Sequence, residues 1–226
     1  MGPLRLDEVR ERIASAAARA GRDEARITLV AVTKGVPADL VRAAYAAGQR
    51  DFGENRADSL AARWGELPAD ARWHFIGRLQ GNKVRLVRPV AALLHSLDRT
   101  DLAGYWAKGP GLPPPALVQV NVSGEGQKAG VAPAEVEALL AAAVHLGIEV
   151  PGLMTIPPAA ADPEEARPHF RALADLRRSL ATRWPGLSGL SMGMSDDFEV
   201  AVEEGATLLR VGRAIFGPFQ DDGRRG

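Results

Sequence analysis

The sequence contains no cysteine. Disulfides, thiolate nucleophiles and cysteine-based zinc sites are therefore excluded. An excess of charge of either sign is also missing. The 28 basic residues balance 28 acidic ones, so no net field draws the chain to nucleic acid or to an anionic membrane. No stretch approaches the ~18 uninterrupted apolar residues of a membrane span. The segment Met1–Arg12 is charged and carries no apolar signal core. These absences predict a cytoplasmic protein with a small-molecule ligand, no nucleic-acid partner and no membrane contact. The densest basic run, Arg78, Lys83, Arg85 and Arg88, has no interleaved aromatics and reads as a solvated helix face.

At 226 residues the chain can bury the core of one α/β barrel or one open α/β domain. Its focal stretch is Thr28–Lys34, a β-branched and aliphatic run that ends in a lysine followed by Gly35 and Pro37. Alternation along a strand puts Lys34 on the side of Val30 and Val32, at the rim of an apolar interior. Burial there would lower its pKa and leave free amine for attack on an aldehyde. The bland alternative is a lysine that snorkels to water.

Further strand-like runs fall at 51–55, 73–77, 93–98, 117–123, 152–156, 190–195 and 208–216. Between most of them lie helix-like segments, and Leu6, Val9 and Ile13 mark an extra N-terminal helix that stops at Gly21. Eight alternations predict a single-domain (β/α)8 TIM barrel spanning 1–226, with a mobile tail from about 220 to 226. A doubly wound open sheet is the alternative, but Gly124, Gly126 and Gly130 do not have the spacing of a dinucleotide fingerprint.

In such a barrel the functional residues sit at the C-terminal ends of the strands. Ser191–Ser195 and Arg210–Arg213 occupy the places after strands seven and eight where barrels hold a phosphate. Arg210 interrupts an apolar run and needs an acceptor, either a structural carboxylate such as Glu54 or Asp98 or a ligand ring nitrogen. His74, His95, His145 and His169 lack paired ligand spacing and read as packing or surface histidines, with no metal expected.

Eight blocks in order across nearly the whole chain then match one family: LVAVTKGVP, FGEN, WHFIGRLQGNK, HSLD, QVNVSGEGQKAG, GLMTIP, LSMGMSDDF and LRVGRAIFG. The chain resembles the pyridoxal phosphate homeostasis proteins, single-domain relatives of the alanine racemase barrel. The resemblance implies that pyridoxal 5′-phosphate forms an internal aldimine with Lys34. Its phosphate would be held by Ser191 and the backbone at Gly212 and Arg213, Arg210 would face the pyridine nitrogen, and Asn55, Met192 and His74 would line the pocket. The chain departs from the usual pattern at Gly35 and Arg213, where threonines are expected, and at Arg56, where an aromatic is expected.

A cation beside the ring nitrogen disfavours its protonation and weakens the cofactor as an electron sink. Racemases of the related fold add a tyrosine base from a second domain, whereas Tyr45 and Tyr105 lie in no matching motif. The expectation is therefore a monomeric, non-catalytic carrier with no catalytic residues. It would store the cofactor through a reversible Schiff base and deliver it to pyridoxal phosphate-dependent apoenzymes. The alternatives are a pyridoxal phosphate-dependent amino-acid racemase or lyase and a cofactor-free Schiff-base aldolase.

Overall fold

The computed structural model describes residues 4–126 and 128–219. The tail expected at 220–226 lies outside the described residues. In chain order the elements are α1 (Leu6–Arg19), β1 (Thr28–Val32), α2 (Ala38–Ala46), β2 (Asp51–Glu54), α3 (Ala57–Arg63), β3 (Arg72–Phe75), α4 (Val84–Val87), β4 (Leu93–Leu97) and α5 (Thr100–Ala107). They continue with β5 (Ala116–Gln119), α6 (Val136–His145), β6 (Gly152–Met154), α7 (Arg167–Leu180), β7 (Gly189–Ser191), α8 (Phe198–Glu203), β8 (Leu208–Val211) and α9 (Arg213–Phe216).

Every strand pairs in parallel with the next, and β8 returns to β1, so the sheet closes. Closure rules out the open-sheet alternative. It also bears on the strand sequences: a parallel sheet covered by helices buries both faces, so most of its strands carry apolar runs, while β2 and β3 mix buried polar residues with aromatics. The expected runs locate all eight strands but overextend most of them. The last run, 208–216, divides into β8 and the short helix α9, with Gly212 between them.

The outer core lies between sheet and helices, where Ala31, Phe52, Trp73, Phe75, Val118, Leu153 and Leu209 meet the apolar helix faces. A smaller apolar layer of Leu93, Leu117 and Met154 packs inside the barrel. Helix α1 stands outside the ring and turns Leu6, Val9, Ile13, Ala16 and Ala17 inward. Arg12–Glu199 and Arg19–Glu203 ion pairs of 3.0 Å join it to α8, but such exposed pairs add little beside the buried apolar face. Arg88 corrects the reading of 78–88 as a solvated face. It is buried and donates to the carbonyls of Trp106, Pro110 and Gly111 at 2.8–3.0 Å, closing the end of α5.

Two strand ends approach unusually closely above the barrel. A Cβ on Gly77 would lie 2.0 Å from the backbone oxygen of Asn55, so only glycine allows the β2 and β3 ends to meet there. Gly77→Ala is expected to cost about 1–3 kcal/mol by overpacking. Calorimetry should show a melting point lowered by about 2–4 °C per kcal/mol.

Candidate functional site

Beyond the C-terminal ends of the strands opens a cavity of about 650 Å³, within the size range of cofactor pockets. Of the residues expected in the site, Lys34, Asn55, Arg210, Gly212 and Arg213 line it, joined by Gly77, Arg78, Gln119, Ser195 and Asp197. His74, Ser191 and Met192 do not line it. Met192 is fully buried in the outer core, and Ser191 is fully buried on the opposite face of the same strand run.

Lys34 differs from expectation. β1 stops at Val32, and Lys34 lies two residues further on, exposed in a turn rather than buried at the strand end. The turn closes with Val36 N–H donating to Thr33 O at 2.9 Å, and Gly35 supplies the positive φ of 69° that it requires. That φ is the physical reason for a glycine after the lysine.

The turn is anchored on both sides. Thr33 N–H donates to Gly53 O at 3.0 Å, and Thr33 Oγ1 donates to Glu54 Oε1. Arg63, from α3, lies 3.4 Å from the same Glu54 oxygen and donates to Val36 O at 2.5 Å. The Glu54 carboxylate is almost wholly buried, so this link is worth more than a surface pair.

Across the cavity, Ser195 Oγ accepts from Gly212 N–H at 3.3 Å and Ala214 N–H at 3.2 Å. The hydroxyl thus marks a point where backbone donors from the β8–α9 junction converge. The Arg213 side chain is turned to Asp196 at 2.5 Å and is largely exposed. Asn55 Oδ1 is buried without a hydrogen-bond partner, an acceptor waiting for a donor.

Arg210 resolves the alternatives left open for it. Neither Glu54 nor Asp98 holds it: Nη1 donates to Ser191 Oγ at 2.5 Å and Nη2 to Thr155 O at 2.9 Å. Burial lowers its pKa to about 10, opposed by the charge of Asp197. Asp197 has its own pKa raised by burial, with Met194 N–H donating to it at 2.6 Å as the main opposing effect.

His74 and His95 lie beneath this layer. Their Nδ1 and Nε2 atoms are 2.9 Å apart, and His95 Nδ1 is 2.8 Å from Ser191 Oγ. His95 is held well below its ordinary value of 6.5, first by burial and then by the charges of His74 and Arg210.

The described barrel and its sequence place the chain in a class. Residues 4–219 match the family described as the N-terminal domain of alanine racemase. Within that class, the chain belongs to the pyridoxal phosphate homeostasis protein family. It is 44% identical over 219 residues to the pyridoxal phosphate homeostasis protein of Aquifex aeolicus, covering 94% of this chain and 96% of that one. It is 46% identical over 218 residues to the protein of the same name from Pseudomonas aeruginosa, covering 94% and 93%. Among solved structures it is similar to PipY of Synechococcus elongatus PCC7942 with PLP bound. That similarity has a TM-score of 0.75 and 36% identity over 92% of this chain and 100% of PipY.

Two predictions follow from the packing. Arg63→Ala should cost about 1–3 kcal/mol and speed amide exchange at Val36, read by hydrogen-exchange mass spectrometry. The unfolded chain takes up the proton that folded His95 refuses, so His95's contribution to stability is complete above pH 6.5 and declines as the pH falls below it. The slope reaches up to about 1.4 kcal/mol per pH unit. Urea unfolding just below pH 6.5 should show that slope flattened in His95→Asn.

Proposed function

We propose that the chain binds pyridoxal 5′-phosphate reversibly and covalently through Lys34 and serves cellular homeostasis of that cofactor by storing and delivering it. The observation that carries the reading is the convergence, in one cavity, of an exposed amine, a buried guanidinium and a cluster of backbone donors. Those groups match an aldehyde, a pyridine nitrogen and a phosphate. The orphaned Asn55 Oδ1 adds an acceptor for a ligand hydroxyl or water.

Lys34 lines the cavity from an anchored turn, so its backbone is held in place while the residue remains exposed to water. Pyridoxal phosphate supplies an aldehyde that amines capture reversibly. Ser195 and the N–H groups at Gly212–Ala214 hold the phosphate in this reading. Ser191 supports Arg210 from behind, and this division of roles replaces the direct phosphate contact assigned to Ser191 by resemblance. Arg210 turns a cation toward the ring and keeps the ring nitrogen unprotonated, which disfavours carbanion chemistry.

A carrier also needs no second acid or base at the reacting carbon. Tyr45 is engaged with Asp70 and Tyr105 lies on the outer surface, and neither lines the cavity. Asp197 Oδ1 is occupied by Met194 N–H. The reading includes pyridoxal phosphate-dependent apoenzymes as recipients, a monomeric state and a cytoplasmic location.

Titration of the purified chain with pyridoxal phosphate should produce a visible absorption band that borohydride fixes to Lys34 and that Lys34→Ala lacks. Loaded protein should then restore activity to an apoenzyme without itself turning over amino acids. Sustained turnover that depends on Lys34 would instead establish the racemase or lyase reading, and absence of the band would remove the cofactor from the account.

A further inference from the structure

The interior of a (β/α)8 barrel is ordinarily filled by layers of branched apolar side chains. Here one level is polar and continuous. Arg210 on β8 donates to Ser191 Oγ on β7 at 2.5 Å, and Ser191 Oγ lies 2.8 Å from His95 Nδ1 on β4. His95 Nε2 lies 2.9 Å from His74 Nδ1 on β3, and His74 Nε2 lies 3.0 Å from Asp51 Oδ1 on β2. The line crosses the barrel from one side to the other. All five residues are buried, the most exposed being Asp51 at 7%. Asp51, at the N-terminal end of β2, is held in turn by Arg72 Nε at 2.7 Å and Nη2 at 2.5 Å.

The ends of the line fix its protons. A guanidinium only donates, so Ser191 Oγ accepts from Arg210 and its own hydrogen is free to point to His95 Nδ1. His95 then carries its proton on Nε2 and donates to His74 Nδ1. His74 carries its proton on Nε2 and donates to the Asp51 carboxylate. In this assignment every buried group is satisfied, and all donors run from Arg210 toward Asp51. Adding a proton at His74 would reverse His95 and leave the Ser191 hydroxyl accepting from both neighbours, its hydrogen without a partner on the line. The low pKa of His95 agrees with the neutral arrangement.

We propose that Ser191, His95 and His74 are positioning residues for the cavity: anchored on Asp51–Arg72, they commit the Ser191 hydroxyl and so hold Arg210 in one orientation toward the ligand's ring. The inference rests on the cavity being a pyridoxal phosphate site. Among the described residues, Arg210 has no carboxylate in hydrogen-bond contact, only a hydroxyl and the Thr155 carbonyl. A hydroxyl can rotate, and the imidazole beneath it removes that freedom.

The test is a titration with pyridoxal 5′-phosphate of the wild type and of the His95→Leu, His95→Asn and His74→Leu variants, reading affinity, the position of the bound-cofactor absorption band and the melting point. His95→Leu should weaken binding by about tenfold and displace the band, the size expected when a buried hydrogen bond loses its partner. His95→Asn retains an acceptor for Ser191 and should return both toward wild type, while His74→Leu should move both in the direction of His95→Leu by less. If His95→Leu does not fold, Ser191→Ala should reproduce the loss and His95→Asn should not. Unchanged affinity and band with only a lowered melting point would reduce the line to ordinary core packing and overturn the proposal. Imidazole nitrogen shifts of the cofactor-free protein provide an independent reading: His95 protonated on Nδ1 would overturn the assigned order even if the cofactor reading stands. A wild type that acquires no band would overturn the cofactor reading instead.

Discussion

Arg210 is 3% exposed inside a sheet, and a buried cation of that kind cannot be left without acceptors. Much of the barrel interior follows from that requirement. β7 contributes a serine where an apolar side chain would otherwise pack, the strand end at Thr155 turns a carbonyl inward, and β4 and β3 contribute histidines that support the serine. The apolar layer of Leu93, Leu117 and Met154 is correspondingly small. Removing a partner from such a network costs more than the net worth of one hydrogen bond, because the group left behind stays desolvated.

Lys34 follows the opposite logic. The residue is exposed, and its backbone is ordered through Thr33, Glu54, Arg63 and the positive φ at Gly35. The site therefore combines a guanidinium fixed by burial with a lysine whose backbone is fixed by the turn that bears it. The two side chains thus differ in setting: the guanidinium is buried among fixed acceptors, and the lysine is exposed at the cavity.

Most of the strands are legible because helix-covered parallel strands carry apolar runs that stand out between glycines and prolines, whereas β2 and β3 mix aromatics with polar residues. The strand ends are not, since pairing stops wherever a loop leaves for the cavity, as after Val32 and Gln119. Lys34, Asn55, Arg210 and Gly212 could be named because position at a strand end and family resemblance agree. The family resemblance puts Ser191 and Met192 together at the pocket, although a period of two puts neighbours on opposite faces. That alternation sends Met192 to the outer core, and it is Ser195 that reaches the cavity. The His74–His95 contact had no such signal. It depends on the register of β3 against β4, where His74 stands opposite Leu93, and on interior packing that no local pattern encodes.

The seam between the first and last strands gives the site an order of assembly. Val30 stands opposite Arg210 and Ala31 opposite Val211, so the lysine-bearing turn and the β8–α9 junction become neighbours only when β8 docks. Without β8, the β1 and β7 edges would be unpaired and the cavity would lack its far wall. The two walls of the cavity thus come from opposite ends of the sequence.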